Sequence, residues 1–158
     1  MHRLVSHLTA QGLLVSTLKR VSDDVDLDRP GKDSYLQRQA GANEVMIANS
    51  FRWALLREER ESFAEPDADI LVARLQPVDL VLVEGFRLSK QPKLEVVMAH
   101  QDRRLQCFDD ETVLAVASDH PIDAQVPRFD LSDTAGIAGF VLANAVASDR
   151  TMSEQTMA

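Results

Sequence analysis

The clearest strand pattern in the chain lies at residues 79–86, where four consecutive apolar residues separate two carboxylates. A continuous apolar run of this kind is typical of a strand buried on both faces, as in a parallel sheet that helices cover. Shorter runs rich in apolar and β-branched residues predict further strands at residues 13–19, 45–48, 51–56, 94–99 and 113–117.

The helical pattern is clearest at residues 1–11. Its apolar residues repeat at the i, i+3, i+4 and i+7 spacing of an amphipathic helix, and they are Met1, Leu4, Val5 and Leu8. Gly12 fits a C-terminal stop, but no Ser, Thr, Asp or Asn stands in front of the helix as a cap. We therefore interpret this helix as the continuation of an element that begins upstream of it. Further helices are predicted at residues 34–40, 67–75 and 137–146.

The order of these elements predicts the fold class. Helices that alternate with apolar strands indicate one α/β domain with a mostly parallel sheet, here over residues 1–147. Residues 148–158 are polar and have nothing to bury, so we expect a disordered tail. In such folds ligands bind at the carboxyl ends of the strands, which directs attention to the loops that follow them.

Composition narrows the class of partner. The chain has 158 residues, 17 basic against 25 acidic, for a net charge of −8. This charge disfavours binding to nucleic acid or to an anionic membrane, which requires a basic face. A single cysteine excludes an internal disulfide. No apolar run is long enough to span a membrane, and the N-terminus does not resemble a signal peptide. We expect a cytoplasmic protein.

The acidic loop at residues 23–34 is the first candidate for chemistry. Gly31-Lys32 resembles the end of a phosphate loop. That motif requires a second glycine five positions before Gly31, and Asp26 occupies this position. A loop carrying Asp26 and Asp28 would repel phosphate. Its carboxylates are suited to Mg²⁺, which takes oxygen ligands. The alternative is a solvated acidic loop with a Pro-Gly turn.

The second candidate is Glu84-Gly85, at the end of the apolar strand. A nucleotide-binding α/β fold places an acid that orients Mg²⁺ or water at such a strand tip, and glycine lets a ligand approach the backbone. The alternative is a strand that ends in an ordinary polar turn. Phe51 and Trp53 are interpreted as core or interface residues, because the acidic charge disfavours a base-stacking role.

Several blocks of sequence together resemble the molybdopterin-guanine dinucleotide biosynthesis adaptor protein B (MobB) family. The blocks are Lys19, DLDRPGKDS at 26–34, QAGA at 39–42, DLVLVEGFR at 79–87 and PKLEV at 92–96. Residues 114–121 and 129–140 resemble the family's closing strand and helix, so the resemblance extends to about residue 146. It implies a P-loop NTPase-like fold.

The resemblance also implies a function. The family's proteins are accessory, dimeric and bind GTP and Mg²⁺, and they assist the guanylyltransferase that attaches GMP to molybdopterin. Alternatives are a docking partner of that enzyme that binds no nucleotide, and a small P-loop kinase or synthetase relative. The family's activity is accessory, at most a weak GTPase, so no residue is assigned a catalytic role.

The site residues carried over by position fall into three sets. The acids that resemble the family's metal-facing carboxylates are Asp26 and Glu84. The nucleotide set comprises Gly85 near the γ-phosphate and Asp119 near the guanine base. The signature loop, which would contact phosphate, pterin or a partner, contributes Arg29, Lys32 and Asp33.

The chain departs from the family in two places. Family members begin with a strand and a glycine-rich phosphate loop, and the present sequence starts inside the helix that follows them. We therefore expect the 158 residues alone to bind GTP poorly. Histidines that often follow the Lys19 position are replaced by residues 20–24, whose role the resemblance does not explain.

Overall fold

A computed structural model describes residues 1–22, 25–59, 66–100 and 104–147. The helices are α1 (His2–Ala10), α2 (Asp33–Gln39), α3 (Ala68–Val72) and α4 (Thr134–Asn144), with a 3₁₀ turn at Gln106–Phe108. The strands are β1 (Val15–Lys19), β2 (Glu44–Ala48), β3 (Trp53–Arg57), β4 (Leu80–Glu84), β5 (Lys93–Val97), β6 (Val113–Ser118) and β7 (Arg128–Asp130). They divide into two compact units.

The first unit comprises Met1–Lys19 and Asp67–Ala158, and we call it the sheet unit. In it β1 pairs with β4 in parallel, and β5, β6 and β7 form a three-stranded parallel sheet. The predicted α/β class with parallel strands is confirmed. Two apolar clusters form its core. One comprises Leu8, Leu80, Leu82 and Ala138, and the other Val97, Leu105 and Val116.

The second unit comprises Arg20–Pro66, and we call it the hairpin unit. It consists of α2 and the antiparallel hairpin of β2 and β3, with Val45 opposite Leu56. Among its described residues Val45 is the one fully buried apolar side chain. Such a small buried surface cannot stabilise a two-stranded hairpin by itself, so polar contacts contribute to this unit.

The predicted elements are present, with bounds that differ by a few residues from those the patterns suggested. The strand expected from residue 51 begins at Trp53, because the Asn49 side chain accepts hydrogen bonds from the N–H groups of Phe51 and Arg52 and closes a turn there. The helix expected from residue 137 begins at Thr134, because Asp133 caps it through the N–H of Gly136. Strand β7 and the 3₁₀ turn were not predicted. The predicted tail at 148–158 lies outside the described residues.

One expectation about β4 is wrong. Its continuous apolar run predicted burial on both faces, yet Val83 is 40% exposed while Leu80 and Leu82 are buried. The reason is a cavity that runs along this strand, described below. Within the part of the chain that the structure describes, no helix has the length and apolar character needed to cross a bilayer.

Candidate functional site

The parallel pairing of β1 and β4 brings Lys19 and Glu84 together at the carboxyl ends of both strands. The two residues are register partners, and Lys19 Nζ lies 3.3 Å from Glu84 Oε1. Both side chains are substantially exposed, at 62% and 42%. Gly85 follows with φ of 93°, a backbone conformation that favours glycine. The chain therefore turns sharply beside an accessible carboxylate, and a ligand-facing role for this strand end stays a prediction.

A cavity of about 1190 Å³ lies between β4 and β5 in the sheet unit. All five residues of β4 and four of β5 line it, together with Met1, Leu4 and one face of α4. Among the described strands β4 pairs only with β1 and β5 only with β6, so two strand edges face the cavity without a strand between them. Such edges present backbone N–H and C=O groups to a pairing strand.

Asp119 follows the carboxyl end of β6 and is held by local hydrogen bonds. Its Oδ1 lies 2.8 Å from His120 Nδ1 and accepts a hydrogen bond from the N–H of Ala99 at 2.9 Å. The contact with His120 is the largest cause that holds the pKa of Asp119 below its ordinary value. The carboxylate is thus ionised and oriented, and its side chain remains 44% exposed.

The signature loop lies in the hairpin unit and is organised by Asp28. The Asp28 carboxylate accepts hydrogen bonds from the Arg29 N–H at 2.7 Å and the Ser34 hydroxyl at 3.1 Å. Asp26 accepts from the Asp28 N–H at 2.9 Å. Gly31 turns the loop with φ of 81°. The loop is therefore an ordered turn in which the carboxylates bind the chain itself.

The three residues of the predicted signature set are exposed. Arg29 follows Asp28, Lys32 occupies the N-cap position of α2, and Asp33 is the first residue of that helix. All three are therefore accessible, and the role that the resemblance implies for them stays a prediction.

Arg38 of α2 is a residue that sequence reasoning missed. Its Nη2 lies 2.9 Å from Asp26 Oδ1 and its Nε lies 3.4 Å from Asp28 Oδ2, while its Nη1 donates to Glu58. The hydrogen bond to Glu58 is the largest cause that raises the pKa of Arg38. Burial acts to raise the pKa of Asp28, but its hydrogen bonds outweigh burial and the pKa is lowered. The available signal was a cation in the last turn of the helix after an acidic loop.

Mg²⁺ and GTP stay predictions for this site. Among the residues that the structure describes, no group of three or more His, Cys, Asp or Glu side chains is placed to hold a metal ion. Glu84 has Lys19 as a partner, and Asp26 has Arg38. Asp26 and Glu84 belong to different units, so a joint role as metal-facing acids stays a prediction.

Comparison with known proteins places the chain in a family. A family model described as "Molybdopterin guanine dinucleotide synthesis protein B" matches residues 1–119. A molybdopterin-guanine dinucleotide biosynthesis adapter protein of Escherichia coli (strain K12) is 37% identical over 145 residues, 89% of this chain and 81% of that protein. Its Haemophilus influenzae counterpart is 32% identical over 143 residues, 89% of this chain and 78% of that protein.

Solved structures agree with this placement. A crystal structure of molybdopterin-guanine biosynthesis protein B superimposes with a TM-score of 0.63 at 27% identity, over 90% of this chain and 88% of that one. A Bacillus subtilis MobB structure gives a TM-score of 0.60 at 22% identity, over 92% and 88%, and shows the shared fold. The P-loop NTPase-like class expected from the resemblance is thus the fold of this chain, which belongs to the MobB family of molybdopterin-guanine dinucleotide synthesis proteins.

Proposed function

We propose that this protein is an adapter in the biosynthesis of the molybdopterin guanine dinucleotide cofactor, and that it assists the guanylyltransferase that joins GMP to molybdopterin. The observation that carries the proposal is the strand-end arrangement of Glu84 and Gly85 beside Lys19, on parallel strands of a MobB-family fold. Ligands of α/β folds bind at such strand ends. The protein acts by binding and positioning, so we assign no catalytic residue.

GTP is the proposed small-molecule ligand, and we expect the 158 residues alone to bind it weakly. The sequence contains no glycine-rich phosphate loop, whose amides and lysine would form most of the cradle for the β- and γ-phosphates. Each missing charge-assisted hydrogen bond is worth roughly 1.5–3 kcal/mol. Losing three or four of them weakens binding by several orders of magnitude, at about tenfold per 1.4 kcal/mol. In this proposal Gly85 and Asp119 still face the nucleotide.

The cavity between β4 and β5 extends the proposal. A β-strand placed there would satisfy both open edges, because neighbouring strands lie about 4.8 Å apart and exchange backbone hydrogen bonds. If that strand led into α1, it would form a β-α-β unit with β1, and a loop between strand and helix would lie at the amino end of α1. Helix amino ends are favourable places for phosphate. The support for this strand is the pair of open edges.

A homodimer is also part of the proposal. One face of the β2–β3 hairpin is apolar and exposed, with Met46 at 61%, Trp53 at 63% and Leu55 at 44% exposure, and Phe51 at the turn is 92% exposed. Exposed apolar surface of this kind is typical of a protein contact. The core alternative for Phe51 and Trp53 is wrong, because both side chains are exposed, and the interface alternative stays a prediction. Analytical sedimentation would test the proposed homodimer, since Trp53→Ser should shift the equilibrium from dimer towards monomer.

Two binding measurements test the proposed function. The first is co-purification of the chain with the guanylyltransferase, with and without GTP. Association that GTP strengthens supports a nucleotide-binding adapter, association that is indifferent to GTP supports a docking partner that binds no nucleotide, and no association contradicts the adapter proposal. The second is titration with a fluorescent GTP analogue. Micromolar affinity that EDTA abolishes would contradict the weak binding expected of these residues.

The proposed extra strand has its own test. The intact mass and N-terminal peptide of the protein purified from its native source would be measured. A mass above 17.6 kDa with a Gly-Lys-Thr type loop in the additional peptide supports the strand and the GTP site. A native mass of 17.6 kDa contradicts both and leaves the docking role.

A further inference from the structure

Arg38 connects three separate pieces of the hairpin unit. It extends from α2 to Asp26 and Asp28 in the signature loop and to Glu58 just after β3. The guanidinium also lies over the Tyr35 ring, 5.5 Å from its centroid. The Arg38 side chain is only 12% exposed and that of Asp28 only 7%. An arginine suits this position because its planar group has five N–H donors, whereas a lysine ammonium is a point charge.

The contacts of Arg38 change the electrostatic character of the loop. The sequence predicts that Asp26 and Asp28 make the loop repel phosphate. In the structure both carboxylates are paired with Arg38 and with groups of the loop itself. Among the described residues of the loop, Arg29 and Lys32 are exposed, as is Asp33 beside Lys32. Asp26 and Asp28 are thus paired with Arg38, and Arg29 and Lys32 are exposed cations of this part of the loop.

We propose that Arg38 is the positioning residue of the signature loop. It pairs with Asp26 and Asp28, fixes the turn that carries Arg29 and Lys32, and so determines which charges the loop presents to an anionic partner or ligand. This inference rests on the proposed function in one respect, namely that the loop takes part in association with the guanylyltransferase. The ordering of the loop does not depend on that function and is measured separately.

The first arm of the test measures loop order by hydrogen exchange. In Arg38→Gln the amide of Arg29, whose acceptor is Asp28, should exchange about tenfold faster than in the wild type, because the carboxylate loses its cation and the turn opens more often. Arg104→Gln is the matched control, since it removes an exposed cation paired with Asp109. Exchange that is equal in the two variants would overturn the proposal.

The second arm separates positioning from direct contact. Arg38→Gln should weaken co-purification with the guanylyltransferase, and the triple variant Arg38→Gln/Asp26→Asn/Asp28→Asn should restore it, because the carboxylates left without their cation are gone. Non-additivity of this kind is expected of groups in one network. Loss without restoration, in a triple variant that circular dichroism shows to be folded, would mean that the guanidinium itself contacts the partner, and would overturn the positioning role.

The two arms also keep the inference distinct from the proposed function. If wild-type protein does not associate with the guanylyltransferase, the proposed function fails, while faster exchange in Arg38→Gln still supports loop positioning. If wild-type protein associates and Arg38→Gln associates equally well with unchanged exchange, the inference fails and the adapter role stands.

Discussion

The two units of this protein are stabilised in different ways. The sheet unit has two apolar clusters around parallel strands, and its candidate ion pair, Lys19 with Glu84, is exposed. In the described part of the hairpin unit Val45 is the one buried apolar side chain, and the carboxylates of Asp26, Asp28 and Glu58 converge on the shielded Arg38. Exposed ion pairs contribute little to stability, whereas removing one partner of a shielded pair is costly. Glu84 is therefore available to a ligand, while Asp28 is committed to structure.

The largest effect is expected in the apolar core of the sheet unit. Leu8 is fully buried against Leu80 and Leu82, so Leu8→Ala should lower the free energy of unfolding by about 2–5 kcal/mol. Chemical denaturation followed by circular dichroism measures this. A loss below about 1 kcal/mol would show that the core tolerates the cavity, and would weaken the contrast between the units.

The next effect is expected in the hairpin unit. Arg38→Gln should open the signature loop, while Arg57→Gln, which removes a more exposed cation paired with Glu44 and Glu59, should not. Limited trypsin digestion after Lys32 measures the difference, with a cleavage rate about tenfold higher in Arg38→Gln because cleavage tracks local opening. Similar rates in both variants would show that ion pairs do not organise this unit.

A smaller effect is expected from acid. Asp110 accepts hydrogen bonds from Lys93 and Thr112, and the contact with Lys93 is the largest cause that lowers the pKa of Asp110 to about 2. A carboxyl whose folded-state pKa is depressed contributes stability above its unfolded value of 3.8, and loses that contribution as pH falls towards about 2. In Asp110→Asn the free energy of unfolding should depend less on pH between about 3.8 and about 2 than it does in the wild type. An unchanged acid profile would assign the acid sensitivity to other carboxylates.

The smallest effect is expected at the exposed pair. Glu84→Gln should change the free energy of unfolding by no more than about 1 kcal/mol, because both side chains are solvated. Thermal unfolding beside the wild type measures it. A large loss would mean that Glu84 is a structural residue, and would remove the main argument for its ligand-facing role.

Local pattern was sufficient to predict most elements of the fold. Helix α1 and strand β4 follow from apolar spacing, and the family blocks identified the P-loop NTPase-like class. Strand β7 was missed because three residues, Arg128–Asp130, are too short to show a period. The exposure of Val83 was missed because it depends on which strands pair, and the cavity beside β4 is a property of that pairing.

The residues of the candidate site could be named from the sequence, but their contacts could not. Glu84 and Gly85 were singled out because they end a strand, where ligands bind, and Asp119 because of the family resemblance; their roles stay predictions. Arg38 was not found, because its partners Asp26 and Glu58 lie 12 and 20 positions away along the chain. The sequence therefore predicted a loop whose carboxylates repel phosphate, whereas in the fold Arg38 pairs with two of those carboxylates.

The most direct test of the central claim is the rate of GMP transfer to molybdopterin by the guanylyltransferase, measured with and without this protein at limiting GTP. The adapter proposal predicts a higher initial rate or yield of the dinucleotide when the protein is present, and no product from the protein alone. An unchanged rate over a range of protein concentrations, with no association between the two proteins, would contradict it.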